Sequence, residues 1–461
     1  MNVKEAQEIH SEAIKRKDLK KIVELSEFYN VLLNQEPDNI GYLFLLATCH
    51  LQIGHNGLAI RLFEDILAKN PNLPEAWNNL GTAWKGEHVN DKAIQAFSEA
   101  AKLKEDPDFY NNLATLYVNE GDPAPGLGYA EHAIELDFNH AQAHWNKSLL
   151  LLEQGKYEQG FLEYDFGLCC AERPVALYNP QVPMWEGQKG KRVVVYGEQG
   201  IGDEILFASC IEDLIRDSKE VIIDGHPRLV DTYKRSFPGL KVYGKRKSNI
   251  RPEWPEKVDY MVPMGSLLRY YRMDGKFPRK PYLKADPEKV AQIRKDLEEL
   301  GPGPYIGIGW KGGAKKTRVD LRSTKLKDWL PVVDNDATFV SLQYTEEAQG
   351  KLERWSQEHK PIHYHEAARS KNYDDALALV EALDLVISVN SAIVHASGAL
   401  GKECWTLTPR KKAWRYYDNG SGKMAFYDSV TLYQNKQDDW ANVMQRVSKD
   451  LVKFIGKRAA A

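Results

Sequence analysis

A period of 33 to 34 residues runs through the first third of the chain and restricts its fold more than any other feature. Small residues recur at Ala47, Gly81, Ala114 and Ser148, separated by 34, 33 and 34 positions. The same offsets connect Ala59, Ala93, Gly126 and Gly160, and again Gly54, His88, Gly121 and Gly155. Leu46, Leu80 and Leu113 precede the first series, which Lys147 breaks; Phe63, Phe97 and Tyr164 form an aromatic series that Ala130 interrupts. Within each unit the apolar residues follow helical period, and a Gly-centred turn divides two helices. Small residues at fixed places let neighbouring helices pack closely, while larger ones fill the groove between them.

This pattern resembles the tetratricopeptide repeat (TPR), as in Ala76-Trp77-Asn78-Asn79-Leu80-Gly81 and in Ala93 followed by Phe97. Four repeats are complete, and residues 4–36 add an atypical capping unit. The resemblance implies an α-solenoid over residues 1–170 with a concave surface for protein or peptide. Asn78, Asn79, Asn111, Asn112 and Asn146 suit that surface, because side-chain amides can hold an extended peptide backbone. The plain alternative is that they are solvated helix positions, and such arrays also act as spacers or dimer interfaces.

A connector follows at 171–190, marked by Pro174, Pro180, Pro183 and Gly187, with Trp185 available to pin it to a neighbour. The 461 residues are too many for one ordinary core and predict two or three domains. Net charge is −3, which gives no general affinity for nucleic acid or anionic membrane. The N-terminal MNVKEAQEIHSEAIKRK lacks the apolar core of a signal peptide, and apolar runs such as 42–47 and 149–152 are far too short for a membrane span. Five cysteines without CxxC or CxxH spacing predict reduced thiols of a cytoplasmic protein and no structural zinc.

Residues 191–280 read as an α/β half. Val193-Val194-Val195-Tyr196 is a buried strand, followed by Gly197-Glu198-Gln199-Gly200-Ile201-Gly202-Asp203-Glu204 and a helix opening at Ile205. Further strands are expected at 221–224, 240–243 and 258–263. Strands alternating with helices imply a mainly parallel sheet with ligands at its carboxyl edge, so Asp203 should face a cleft. The bland reading of the turn is that its glycines permit a tight bend and Asp203 caps the helix.

Residues 281–461 read as a second α/β half after the break at Gly301-Pro302-Gly303-Pro304. The strand Tyr305–Trp310 runs into Lys311-Gly312-Gly313-Ala314-Lys315-Lys316-Thr317-Arg318, with Arg322 just beyond. A basic, glycine-bearing loop after a strand suits phosphate, although the order is not that of a Walker A loop. Asp334-Asn335-Asp336 imitates a metal-holding carboxylate pair, but its place ahead of the strand at 338–343 argues for a turn. The strand at 384–389 leads into Asn390, Ser391 and a helix carrying His395, and then to a strand at 404–407. Asn390 or Ser391 is a natural N-cap, and the free N–H groups there suit an anion.

Together GEQGIGD and DLVISVNSAIVHASGALGK resemble the heptosyltransferase-like glycosyltransferases of GT-B fold, and the fusion to tetratricopeptide repeats resembles bacterial flagellin and protein glycosyltransferases. The fold class so implied is α plus α/β: a TPR solenoid followed by two Rossmann-like domains. The acceptor would lie against the first domain, near Gly200 and Gly202, and the nucleotide-sugar against the second. Asp203 would be the general base for inverting attack. Lys311 and Arg322 would neutralise the leaving diphosphate, with Asn390, Ser391 and the His395 helix binding phosphates. No cofactor and no metal is implied. The partners would be the nucleotide-sugar donor and a protein acceptor, with a second copy of the chain as a further candidate. Asn390-Ser391 departs from the Asp-Thr usual in the family, which removes a carboxylate and bears on the donor. It also motivates a competing expectation, a catalytically inactive TPR scaffold whose α/β part binds nucleotide or is purely structural. A third is a lipid or saccharide acceptor, with the repeats recruiting a membrane partner.

Overall fold

The computed structural model describes residues 2–120, 122–170, 179, 181–244, 254, 257–313, 319–418, 420–437 and 439–459. Gly121, Pro174, Pro180 and the 314–318 part of the basic loop lie outside the described residues. The chain forms two compact units, Met1–Leu150 and Leu151–Ala461.

The first unit is a run of helices joined by short turns: α1 (Val3–Arg16), α2 (Leu19–Gln35), α3 (Ile40–Gln52), α4 (Asn56–Lys69), α5 (Pro74–Gly86), α6 (Asn90–Leu103), α7 (Pro107–Glu120), α8 (Pro123–Leu136) and α9 (Ala141–Glu153), within which the unit boundary falls. Local chemistry sets these starts. The Asn2 side chain accepts from Glu5 N while Glu5 accepts from Asn2 N, and Asp18 and Asn39 cap α2 and α3. Proline opens α5 and α8, where its missing N–H costs nothing. The repeated small positions Ala47, Ala114, Ser148, Ala59 and Ala93 are fully buried. A Cβ on Gly81 would stand 2.7 Å from the Phe97 ring, so glycine there lets α5 and α6 close on each other. Ala130, the gap in the aromatic series, is also buried, packed with Ala114, Val118 and Leu150.

The second unit begins with α10 (Tyr157–Tyr164) and continues through β1 (Arg192–Tyr196), α11 (Ile201–Phe207), α12 (Ile211–Asp217), β2 (Glu220–Asp224), α13 (Val230–Ser236), β3 (Lys241–Tyr243), β4 (Tyr260–Pro263) and α14 (Leu267–Tyr271). These strands form an all-parallel sheet in the order β3-β2-β1-β4. The elements α15 (Pro287–Glu298), β5 (Tyr305–Gly309), α16 (Val319–Arg322), α17 (Leu330–Val333), β6 (Thr338–Ser341), α18 (Ala348–Trp355), β7 (Ile362–His363), α19 (Tyr373–Ala382), β8 (Leu385–Val389), α20 (Ala392–Leu400), β9 (Cys404–Thr408), β10 (Val430–Gln434) and α21 (Trp440–Ala459) follow. The second sheet is parallel throughout, in the order β10-β9-β8-β5-β6-β7.

Read from β7, the second sheet has the doubly wound order 3-2-1-4-5-6, and the first sheet has its 3-2-1-4 portion. The order reverses between β1 and β4 in one and between β5 and β8 in the other. Ligands of such sheets bind outside the carboxyl ends of the strands at these reversals. The glycine turn after β1, the Lys311 loop after β5 and the Asn390-Ser391 turn after β8 all lie there. Two strands, β7 and β10, were not expected from sequence; both are edge strands, and β7 has only two residues.

The core of the second sheet gathers Ile306, Ile308, Trp329, Phe339, Leu385, Ile387 and Leu407. Each fully buried aliphatic side chain contributes about 1.5–3 kcal/mol relative to exposure. Trp185 holds the end of the connector to its neighbours: its backbone N–H donates to Met261 O at 2.8 Å, its indole donates to Gln188 O, and its ring lies 4.7 Å from that of Tyr270. Asp334 ends α17 ahead of β6, and Asn335 bonds backbone oxygens of Pro331 and Val332, so this triplet is a turn at the amino edge. No described helix is long and apolar enough to cross a membrane.

Candidate functional site

The turn after β1 is built around two buried carboxylates. Glu198 accepts from Gly265 N at 2.7 Å, which ties the turn to the end of β4. Glu204 accepts from His226 N at 2.7 Å, which ties it to the end of β2. Both are almost wholly buried, and the Glu204 carboxylate fills the space a side chain at Gly197 would need. The remaining member, Asp203, is left for the cleft. It sits in the first turn of α11, where the helix dipole favours a negative charge, and its Oδ2 accepts from Gly200 N at 3.2 Å.

Helix α20 opens opposite. Ser391 is its N-cap, but its hydroxyl is turned to Ser388 Oγ at 3.2 Å and does not cap the helix. The first-turn N–H groups of α20 therefore have no side-chain cap. A Cβ on Gly202 would stand 3.1 Å from Ala392 Cα and 3.2 Å from His395 Cδ2. Glycine at 202 thus lets the N-terminal turns of α11 and α20 touch, one from each sheet. Gly312, after β5, fits as tightly: a Cβ there would stand 2.5 Å from Asn390 O.

Charge converges on this contact. Arg415, in a short 3-10 turn after β9, ion-pairs with Asp203 through Nε, and its guanidinium lies 4.8 Å from the Trp414 ring. Arg322 donates through Nε to Gly312 O at 3.0 Å, and burial pulls its guanidinium below the usual arginine range. One guanidinium pairs with the Asp203 carboxylate and a second lies within reach of its field, both beside a helix N-terminus, and these are the kinds of group that bind anions. Lys311 is exposed, while Gln343 grips its backbone by accepting from Lys311 N at 3.1 Å and donating to Lys311 O at 3.0 Å. His395 is buried among Tyr416 and Tyr427. Burial pushes its imidazole down to about 4, against the pull of Asp203 and with the help of Arg415. At neutral pH it is an uncharged donor or acceptor. Asn390 is 2% exposed, and its side-chain oxygen meets no hydrogen-bond donor among the described residues. No group of three or more His, Cys, Asp or Glu among the described residues is placed to hold a metal ion.

No protein-family profile matches the chain. It is 28% identical over 454 residues to Protein FlbA of Caulobacter vibrioides, covering 91% of this chain and 74% of that one. It is also 24% identical over 136 residues to tetratricopeptide repeat protein 8 of Caenorhabditis elegans, covering 29% and 27% respectively. Among solved structures, MamA aligns with 34% of this chain and 93% of its own at 21% identity and a TM-score of 0.31. TTC0263, a thermophilic TPR protein of Thermus thermophilus, aligns with 36% and 92% at 15% identity and a TM-score of 0.31. The N-terminal region is a TPR-like helical array, and a parallel-sheet α/β region follows it.

The structure thus gathers Asp203, Gly200, Gly202, Lys311, Arg322, Asn390, Ser391 and His395 at the reversal points of the two sheets. Gly202 serves there as a close-packing residue. The repeat asparagines belong to the first unit. Asn112 donates to Asn78 at 2.8 Å and Asn146 to Asn111 at 2.8 Å, so amides one repeat apart are linked in pairs; Asn79 is half-buried. Sequence reasoning singled out neither Arg415 and Tyr416 nor Gln199. The signal available was the dense aromatic and basic run Trp414-Arg415-Tyr416-Tyr417 directly beyond a strand.

Proposed function

We propose that the α/β unit is a metal-independent, inverting glycosyltransferase of GT-B type that moves a sugar from a nucleotide-sugar to a hydroxyl of a protein acceptor. The observation that carries this reading is the meeting of Asp203 and Gly202 on one sheet with Arg415 and the α20 N-terminus from the other. In the reaction, the acceptor oxygen forms its bond to the anomeric carbon as the carbon–oxygen bond to the diphosphate breaks. The acceptor's proton passes to Asp203. The pair with Arg415 occupies Oδ1, while the long contact from Gly200 N leaves Oδ2 as the face an acceptor hydroxyl can take. Negative charge growing on the leaving diphosphate is met by Arg322, Lys311 and the first-turn N–H groups of α20. Asn111 and Asn146 are buried and bonded to each other, so of the repeat asparagines the partly exposed Asn78, Asn79 and Asn112 are the ones suited to an extended acceptor segment.

Incubating the full chain with a panel of nucleotide-sugars and candidate acceptor proteins tests this. Asp203→Asn should lower transfer by on the order of 100-fold or more, while nucleotide affinity stays within about 3-fold, equivalent to less than 1 kcal/mol. Absence of transfer by the wild type together with absence of nucleotide binding refutes the reading. The competing reading, an inactive repeat scaffold, is favoured by Asn390, which stands where a carboxylate is usual. It gains support if a protein partner binds the repeats while no nucleotide-sugar binds the α/β unit.

A further inference from the structure

Gln199 is the residue the reaction as written leaves unused, yet it stands at the centre of the site's hydrogen bonding. Its backbone is left-handed, φ +55°, a conformation that suits glycine and that a residue with a Cβ adopts only at a cost. The glycines around it, at 197, 200 and 202, do not take this conformation, so the glutamine is the left-handed residue of its turn. Its side chain accounts for this. Gln199 Nε2 donates to Tyr164 Oη at 2.6 Å, and Gln199 Oε1 accepts from Arg415 Nη2 at 2.8 Å.

Both ends of this bridge are informative. Tyr164 closes α10, whose aromatic residues are locked into the second unit. The Tyr164 ring lies 6.4 Å from those of Phe207 and Trp414, and Phe161 lies 6.1 Å from Trp414. Tyr157 meets Phe277 at 5.2 Å and Tyr417 at 5.9 Å. The far end, Arg415, is the only described guanidinium that ion-pairs with Asp203. An arginine on a short turn has several rotamers open to it. The Gln199 oxygen removes that freedom by fixing one Nη while Nε faces the carboxylate.

We propose that Gln199 is a positioning residue whose amide, anchored on Tyr164, orients Arg415 and through it the carboxylate of Asp203. The proposal rests on the glycosyltransferase reading for its catalytic consequence and on geometry alone for its structural one. Displacement of a reacting group by about 1 Å costs on the order of 100-fold in rate, so the amide controls turnover without touching substrate.

Gln199→Gly separates this role from a merely structural one, because it relieves the left-handed backbone while removing the amide. The full-length variant should unfold at the wild-type temperature or above it. Its kcat for sugar transfer should fall by on the order of 10- to 100-fold, with KM for the donor changed by less than about 3-fold, within the range of lost peripheral contacts. Gln199→Glu retains an oxygen that can accept from Arg415 and should recover part of kcat. An activity-independent readout is the imidazole NMR signal of His395. That ring faces Asp203 on α11, Arg415 and Tyr416 on the turn after β9, and Tyr427. Displacement of Arg415 should raise its titration midpoint in Gln199→Gly. A Gln199→Gly protein with unchanged kcat and unchanged His395 titration overturns the proposal. If the wild type transfers no sugar, the glycosyltransferase reading fails, and the His395 titration alone then supports the positioning role if it moves and overturns it if it does not.

Discussion

Replacement of Asp374 by alanine should destabilise the second unit by about 3 kcal/mol, a figure that follows from what the carboxylate holds. Asp374 lies in the first turn of α19 with its side chain 1% exposed. Arg235 on α13 donates to it twice, Nη1 at 2.8 Å and Nη2 at 2.7 Å, and the Thr232 hydroxyl donates at 2.9 Å. Lys289 Nζ reaches it at 3.3 Å. The carboxylate of one sheet's helix is thus clamped by a helix flanking the other sheet. Removing one partner of a buried pair costs about 3–5 kcal/mol because the other charge is left uncompensated. The 22% exposure of Arg235 allows partial rehydration and argues for the low end. About 3 kcal/mol corresponds to roughly 5 °C in a unit that runs from Leu151 to Ala461, at about 2.1 cal/mol/K of unfolding entropy per residue. Urea unfolding followed by tryptophan fluorescence and far-ultraviolet circular dichroism reads the result. A loss below about 1 kcal/mol, within the range of an exposed ion pair, would refute the reasoning. The pH dependence supplies a second check. Burial by itself raises the Asp374 pKa, but the bonds from Arg235 and Thr232 and the charges of Arg235 and Lys289 outweigh it and hold the carboxyl below its ordinary 3.8. A depressed carboxyl contributes stability above the unfolded value, lost as pH falls through the folded one. The wild type should therefore lose this contribution below about pH 3.8, and Asp374→Asn should lack that acid loss.

Two further outcomes follow from the contact between α11 and α20. Gly202→Ala places a Cβ against Ala392 and His395, so overpacking of about 1–3 kcal/mol should exceed the gain of about 1 kcal/mol in helix propensity; denaturant midpoints and transfer rates should both fall. His395 is held neutral by burial, with its pKa pushed down to about 4. Between that value and the ordinary 6.5 the unfolded chain binds a proton that the folded chain does not, so stability should fall as pH drops through this window. His395→Gln should flatten the fall, as measured by melting temperature from pH 7 to pH 4.

Much of the architecture was legible in the sequence because it depends on local periodicity. The 34-residue recurrence marked positions such as Ala47, Ala114 and Ser148 that are fully buried, and the strand at β1 was set by Val193, Val194 and Val195. β7 and β10 were illegible for the complementary reason: two residues carry no period, and an edge strand gains its identity from the neighbour it pairs with. Asp203, Arg322 and His395 were readable because each follows a strand that ends at the carboxyl edge. Arg415 was not, since its significance comes from a partner more than 200 positions earlier, Gln199, and from Asp203 beside it.

By itself the sequence determined helical hairpins, parallel strands and the order of the loops, all consequences of spacing along the chain and of where glycine and proline permit a turn. Tertiary structure alone decided the pairing of Asp203 with Arg415, the clamp on Asp374 and the neutrality of His395. Those depend on which charges end within a few ångströms of each other and on how much water remains between them, quantities that no single segment encodes.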